Sequence, residues 1–154
     1  MPDLRPDFQT DTQTNRGRAF IAEIPHSRAL GMVVEHMEAG HARISMPYDK
    51  RFVGDPKTGV IHGGAVSALM DTCGGAAVMS LPEARASATI DLRIDYMRPA
   101  TPGQRITATA ECYHVTRLVV FIRAVATDDD GARPVATATG AFTIERDPAE
   151  EGAA

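Results

Sequence analysis

The first third of the chain contains two short segments that are predicted to be strands. These segments, 31–38 and 41–47, are separated by the dipeptide Ala39-Gly40. The pattern is typical of two antiparallel strands joined by a tight turn. The next segment, 48–61, carries three basic residues and three glycine or proline positions, which predicts a loop.

The pattern changes from Gly63 to about Leu81. Period-two alternation is absent there, Ala, Leu, Met and Val predominate, and Pro82 ends the segment. We interpret it as a helix that is apolar on nearly all sides and is therefore buried on most of them. Its four glycines lower the intrinsic helix propensity, so we expect the backbone of a sheet or of another helix to approach it closely.

Period-two patterns return after the helix. They cover four segments, 86–97, 104–116, 118–127 and 134–145, and each is expected to be a strand. A regular first strand of this group would place four side chains on one face, Thr89, Asp91, Arg93 and Asp95. Two strands, one long helix and four strands predict an α+β domain, in which the helix lies on a mostly antiparallel sheet.

Length and charge fit one domain. The chain has 154 residues, of which 44% are hydrophobic and 23% charged, and this suffices for a single core. The net charge is −4, and the last ten residues hold four acids against one base. We expect a flexible segment over 1–18, a domain over 19–145 that starts with a short helix from Arg18 to Ile24, and an acidic tail over 146–154. No basic stripe is present, so nucleic acid is not an expected partner.

Cysteine use and hydropathy indicate a cytoplasmic protein. Cys73 and Cys112 are too few for a disulfide framework and lack metal-ligand spacing, so reduced core thiols are expected. The first 18 residues lack the apolar stretch of a secretory signal. The longest apolar run, Val60 to Leu81, includes Asp71 and four glycines, which favours a buried helix over a membrane span.

His62-Gly63-Gly64 opens the predicted helix. The N–H groups of a first helical turn have no partners inside the helix, and the helix dipole is positive there. Glycines let a ligand oxygen approach this backbone, which favours an oxyanion site. A histidine at such a position is, taken alone, more often a cap or a packed ring.

Asp71 is the only charged residue from Gly63 through Pro82. A carboxylate on a buried apolar helix is costly unless it is paired, hydrated or used in a reaction. Asp71 follows His62 by nine residues, about 13 Å along a helix axis. One chain's Gly63 and Asp71 therefore cannot serve the same carbonyl carbon. If both act, two antiparallel helices across a two-fold axis must supply them, which predicts an obligate dimer with two composite sites.

Three motifs occur together in the chain: Gly59-x-x-His62-Gly63-Gly64, Leu69-Met70-Asp71, and the strand Thr89 to Ala100, which ends in Tyr96-Met97-Arg98-Pro99-Ala100. In this combination the chain resembles a hotdog-fold thioesterase of the PaaI type, related to 4-hydroxybenzoyl-CoA thioesterases, from about Phe20 to Ile144. The resemblance implies a long central helix wrapped by the sheet. It also implies hydrolysis of an acyl-CoA, with an aryl-acetyl or medium-chain acyl group, by a homodimer or a dimer of dimers that needs no metal or other cofactor.

The resemblance also assigns roles to single residues. Asp71 matches the catalytic carboxylate, as general base on water or as nucleophile, and the Gly63 N–H matches the donor that polarises the thioester carbonyl. Thr89 matches a hydroxyl that helps to hold the water in some members. His62 is tied more to shaping the helix start than to proton transfer. Asp55 is the nearest match to a loop asparagine that contacts the water or the carbonyl, and it departs from the family pattern.

Further substrate contacts are expected at Gly64 and at cations near the CoA phosphates. A basic residue taken singly is more often an ordinary surface charge than a phosphate ligand. The candidates are Lys50, Arg51, Lys57, Arg98 and Arg117. The helix residues Met70, Cys73 and Met79 are interpreted as core packing or as lining of an acyl pocket.

Two other functions remain open at this point. A non-catalytic acyl-CoA binding or sensing module on the same fold is motivated by Asp55 in place of the loop asparagine. The second is a hotdog hydratase or dehydratase of acyl thioesters, and such members are typified by a different, histidine-centred motif on or before the helix. The carboxylate in Leu69-Met70-Asp71 fits hydrolysis better.

Overall fold

A computed structural model of the protein describes residues 12–148. Residues 1–11 and 149–154, which hold most of the predicted flexible segment and most of the predicted acidic tail, lie outside the described residues. The elements in chain order are α1 (Thr12–Glu23), α2 (Pro25–Ala29), β1 (Val33–Glu38), β2 (His41–Met46), a short 3-10 helix (Lys50–Phe52), β3 (Val53–Asp55), β4 (Val60–Ile61), α3 (Gly63–Met79), β5 (Ala84–Ala86), β6 (Thr89–Tyr96), β7 (Ile106–Val115), β8 (Val119–Thr127), β9 (Ala136–Thr143) and β10 (Glu145–Arg146).

Six strands form one antiparallel sheet in the order β1-β2-β7-β8-β9-β6. Helix α3 lies on one face of this sheet and packs mainly against β2, β7 and β8. Two small pairs, β3 with β4 and β5 with β10, lie outside it. The predicted α+β class, with one long helix on a mostly antiparallel sheet, is confirmed. The segment 48–61 differs from the prediction, because it folds into the β3–β4 hairpin instead of a plain loop.

Helix α3 is the centre of the core. Five of its side chains have no solvent exposure: Leu69, Met70, Cys73, Ala77 and Val78. A Cβ built on Gly74 would stand 2.9 Å from Cζ of Phe142 in β9, so only glycine lets the helix come this close to the sheet. The close approach predicted from the helix glycines is confirmed at this residue. Among residues 12–148, no helix is long and apolar enough to cross a membrane.

Helix α1 begins at Thr12, six residues before the predicted start at Arg18. Contacts with β1 explain the longer helix. Arg18 Nε donates to the Val34 carbonyl at 2.8 Å, and the Met37 N–H donates to the Thr14 hydroxyl at 3.2 Å. Tertiary packing stabilises many helices whose own sequence is only a weak signal, and α1 is such a case.

Strand β6 forms one edge of the sheet and contains a bulge near its start. The register with β9 shifts after Thr89, which pairs with the buried Phe142. A bulge changes the face to which the neighbouring side chains point. Thr89 therefore faces α3, whereas Arg93 and Asp95 form an ion pair on the opposite face. The expectation that Thr89 shares a face with Arg93 and Asp95 is wrong, because it assumed a regular strand.

Candidate active site

Helix α3 begins with a capped turn that leaves one N–H group open. His62 is the N-cap residue, and its Nδ1 accepts a hydrogen bond from the Gly64 N–H at 2.8 Å. Its carbonyl accepts from the Ala65 N–H at 3.0 Å. The N–H of Gly63 has no acceptor among the described residues and lies at the positive end of the helix dipole. The cap occupies the Gly64 N–H, so Gly63 is the residue that offers a donor to a ligand.

Two hydroxyl groups that the sequence reasoning did not single out lie beside Gly63. Tyr96 Oη donates to the Gly63 carbonyl at 2.6 Å, and Ser67 Oγ donates to the same carbonyl at 3.1 Å. The two hydroxyls also contact each other. These contacts tie the end of β6 to the first turn of α3. The available signals were the position of Ser67 four residues after Gly63 and the place of Tyr96 in the strand motif.

Asp71 and Thr89 meet on the α3 side of β6. Thr89 Oγ1 donates to Asp71 Oδ1 at 2.7 Å. Asp71 Oδ2 has no hydrogen-bond partner within residues 12–148. A carboxylate that is oriented by one hydrogen bond and keeps one oxygen free can accept a proton from a nearby water, as a general base does. The bulge in β6 makes this contact possible, because it turns Thr89 towards the helix.

The Asp71 carboxylate lines a cleft of about 550 Å³, here called the Asp71 cleft. Most of its lining is apolar. Its apolar residues include groups of α1, α3 and β9 and the residue between α1 and α2: Phe20, Ile21, Ile24, Ala76, Met79 and Phe142. His26 and Ser87 are among its polar lining residues, and Ser87 Oγ is buried without a hydrogen-bond partner in the described structure. A polar reacting group beside apolar walls suits a substrate with a hydrocarbon part.

The two ends of the candidate site are far apart in one chain. Gly63 and Asp71 stand eight residues apart on the same helix, which is about 12 Å along its axis. A reacting carbonyl must lie about 3 Å from both its oxyanion donor and its attacking group. One chain therefore contains a donor and a carboxylate that cannot act on the same carbonyl.

Arg98, expected to contact CoA phosphates, is held by an acidic partner instead. Its Nη1 and Nη2 donate to the two carboxylate oxygens of Asp128, each at 2.7 Å, and Nη2 also donates to the Arg133 carbonyl. The Asp128 side chain is fully buried, and it accepts two further hydrogen bonds from Thr101. Nη1 and Nη2 are thereby occupied, and the unpaired Nε is buried, so the geometry gives Arg98 a structural role and no accessible free donor for a phosphate.

We expect Asp128→Asn to lower the melting temperature by several degrees at neutral pH, because asparagine cannot accept the paired hydrogen bonds of Arg98 on two oxygens. The Arg98 guanidinium, helped by the N–H and the hydroxyl of Thr101, holds the pKa of Asp128 well below its ordinary value. The ionised carboxylate therefore stabilises the fold above about pH 4, and this contribution is lost as the pH falls towards the lowered pKa.

Thermal melts at about pH 7 and pH 3 measure this effect, and the difference from the unmodified protein should shrink at the lower pH. Asp130→Asn is the matched control, because that carboxylate pairs with the exposed Arg133. Equal melting temperatures for Asp128→Asn and the unmodified protein at neutral pH would contradict the structural role.

Two further expected substrate contacts, Asp55 and Lys57, lie in the β3–β4 hairpin. The Asp55 carboxylate accepts from the Lys57 N–H at 3.0 Å and from the Thr58 hydroxyl at 2.9 Å, and these bonds lower its pKa. Asp55 thus closes its own turn and does not line the Asp71 cleft. Lys57 is exposed and forms no ion pair with any described residue, so its expected role stays a prediction.

The two cysteines are free thiols. Cys73 Sγ donates weakly to the carbonyls of Ala42 and Ala108, and burial raises the pKa of this thiol to about 12. Burial also raises the pKa of Cys112, to about 11. Both groups are protonated at neutral pH and act as packing residues. In the described part of the chain, no three His, Cys, Asp or Glu side chains are grouped to hold a metal ion.

A long helix on a six-stranded antiparallel sheet, with a carboxylate in a cleft along that helix, defines the class of hotdog-fold hydrolases. A profile described as Thioesterase superfamily matches residues 58–135. The chain belongs to this superfamily and is a thioester hydrolase of the PaaI type.

Three similar proteins illustrate this membership. The medium/long-chain acyl-CoA thioesterase YigI of Escherichia coli K12 is 28% identical over 142 residues, covering 83% of this chain and 90% of YigI. A crystal structure of a Pseudomonas aeruginosa protein is 40% identical, with a TM-score of 0.76, and the match covers 85% of this chain and 98% of that one. A variant of the phenylacetic acid degradation protein PaaI of Thermus thermophilus is 27% identical, with a TM-score of 0.69, and covers 77% and 97%.

Proposed function

We propose that the protein hydrolyses an acyl-CoA thioester to a free acid and CoA. The observation that carries the proposal is the Asp71 carboxylate, oriented by Thr89 in a cleft with apolar walls. The similarity to the acyl-CoA thioesterase YigI supports CoA as the thiol part of the substrate. The apolar walls support a hydrocarbon acyl group, and medium or long chains are proposed because YigI carries that description.

In the proposed reaction, the thioester carbonyl accepts a hydrogen bond from the Gly63 N–H at a helix start. In one route, water attacks the carbonyl carbon while Asp71 takes a proton from that water. In the other route, the Asp71 carboxylate attacks the carbonyl carbon and forms an anhydride, which water later hydrolyses to the free acid. The developing oxyanion is stabilised by the Gly63 N–H and by the helix dipole. The carbon–sulfur bond then breaks, and CoA leaves as a thiolate. In the general-base route the thiolate takes up the proton held by Asp71, and in the nucleophile route it takes up a proton from solvent. A thiolate is a good leaving group, so these groups suffice for the chemistry.

We also propose that the active unit is a homodimer in which Asp71 of one copy works with Gly63 of the other. The 12 Å separation within one chain supports this arrangement. The edge strand β6 supports it too, because its outer side pairs with no described strand. Two apolar side chains, Ile90 in β6 and Met97 just after it, are each 56% exposed. The two free thiols support a reducing, cytoplasmic setting for the enzyme.

The test is a thiol-release assay on the purified protein with a series of acyl- and aryl-acyl-CoAs. We expect CoA release from at least one of them, at a rate proportional to protein concentration. Tight acyl-CoA binding in calorimetry without thiol release would favour the binding module instead. A change in enoyl absorbance without thiol release would favour a hydratase or dehydratase.

A further inference from the structure

Three of the cavities lined by described residues lie in a row along α3. The first, of about 370 Å³, is lined by Gly64 and Ala65 at the helix start, and it shares His26 with the Asp71 cleft. The third, of about 450 Å³, lies beyond the cleft and is here called the α1 cavity. The cleft and the α1 cavity share two lining residues, Phe20 and Met79. These two side chains therefore form the boundary between the reacting centre and a further space.

The α1 cavity is lined mainly by apolar groups of α1, β1 and the segment after α3. Besides the two boundary residues they include Gly17, Met37, Leu81 and Ala84. Gly17 allows α1 to lie directly on the Met37 side chain, so the helix forms the cover of this space. None of these apolar residues takes part in the chemistry proposed at Asp71. The α1 cavity thus continues the mainly apolar lining of the cleft beyond its boundary, and Gln13, Arg16 and Glu83 are its polar lining residues.

The boundary itself can move. The Phe20 side chain is 54% exposed, so core packing does not hold it in one rotamer. Met79 is the last residue of α3, is only partly buried, and has an unbranched side chain that adapts to irregular space. Rotamer changes in exposed side chains are fast compared with enzyme turnover. A chain pressing against these two residues can therefore part them without unfolding α1.

We propose that the α1 cavity is a subsite for the distal end of a linear acyl chain, and that Phe20 and Met79 set the chain length the enzyme accepts. This inference rests on the proposed acyl-CoA thioesterase function. Asp71 and Met79 stand eight residues apart on α3, about 12 Å along its axis. Carbon–carbon bonds of about 1.5 Å in an extended zigzag cover that distance with roughly ten carbons. Shorter chains end in the Asp71 cleft, and longer chains cross the boundary into the α1 cavity.

The decisive variant is Ala84→Leu, which fills the α1 cavity and leaves the Asp71 cleft unchanged, because Ala84 lines only the former. We expect kcat/KM for palmitoyl-CoA, assayed below its micelle-forming concentration, to fall on the order of tenfold, while kcat/KM for octanoyl-CoA stays within about twofold. The reciprocal variant, Phe20→Ala, removes the boundary and should raise the palmitoyl to octanoyl ratio several-fold. Leu118→Ala is its matched control, because Leu118 is 57% exposed and lines neither space.

The outcomes separate the two proposals. If the unmodified protein releases CoA from no acyl-CoA, the thioesterase proposal fails and the subsite fails with it. If it hydrolyses acyl-CoAs but both variants keep its palmitoyl to octanoyl ratio, only the subsite is wrong. Should Ala84→Leu fail to fold, as judged by circular dichroism, Phe20→Ala decides alone, and an unchanged ratio in that variant overturns the inference.

Discussion

Replacing Asp71 with asparagine is expected to lower kcat for acyl-CoA hydrolysis by about 10²–10⁴-fold, the range that a general base contributes. Asparagine has nearly the same size, and its side-chain oxygen still accepts the hydrogen bond that Thr89 donates. It cannot take a proton from water or attack the thioester. The measurement is the release of free thiol at saturating substrate, with a thermal melt to show that the variant is folded.

The matched control for this variant is Asp95→Asn. Asp95 belongs to the same edge strand as Thr89, but it lies on the opposite face of the sheet and pairs with Arg93. It should keep a rate close to that of the unmodified protein. If Asp71→Asn retained its full rate with several acyl- and aryl-acyl-CoAs, the assignment of Asp71 as the reacting carboxylate would be wrong.

Gly63→Pro is expected to reduce kcat by about 10²–10³-fold, the loss found when one oxyanion donor is removed. Proline has no N–H, but it is well tolerated at the first position of a helix, which is where Gly63 lies. The residue before a proline prefers an extended backbone, and His62 already has φ −59° and ψ 134°. The variant therefore removes the donor while the helix start keeps its shape.

Gly63→Ala is the control, because alanine retains the N–H. Its Cβ would stand 3.4 Å from Cζ of Tyr96, an ordinary contact, so a rate within a few-fold of the unmodified protein is expected. If Gly63→Pro retained the full rate, the proposed role of the Gly63 N–H in the mechanism would be wrong. A large loss in Gly63→Ala would show that the change in shape, and not the missing donor, is responsible.

Mixing the two inactive variants tests the composite site. In a mixed dimer of Asp71→Asn and Gly63→Pro, one site carries both changes and the other carries none. Random assembly makes half of the dimers mixed, so about a quarter of the full activity should return on co-expression. If each chain used its own Gly63 and Asp71, every site would carry one change and no activity would return.

Much of the fold could be predicted from patterns that are local in the sequence. The helix from Gly63 and the hairpin around Ala39-Gly40 depend on period, composition and turn residues, and the structure has both. Helix α1 could not be placed correctly, because its first turn is stabilised by β1, which lies more than ten residues further along the chain. The β3–β4 hairpin was missed for a different reason, since Asp55 closes it with local hydrogen bonds that glycines and prolines alone do not indicate.

The residues of the candidate site could also be predicted only in part. Asp71 could be identified from the sequence because a single carboxylate interrupts an apolar helix, and Gly63 because a helix start exposes its N–H groups. The pairing of Arg98 with Asp128 could not be identified, because thirty residues separate them. They meet only because the loop after β6 packs against the loop after β8. The contact of Tyr96 with Gly63 depends in the same way on where the edge strand ends.

The sequence by itself determined which chemical groups the protein has along its central helix: an open donor at one end, a carboxylate about two turns on, and no other charge between them. These properties follow from residue identity and from the rise of a helix, which are local. Only the tertiary structure decided which partner each group meets. A bulge in β6 turned Thr89 towards Asp71, and the packing of α1 created the cavity beyond Phe20 and Met79. Such contacts join segments distant in the chain, so no local pattern encodes them.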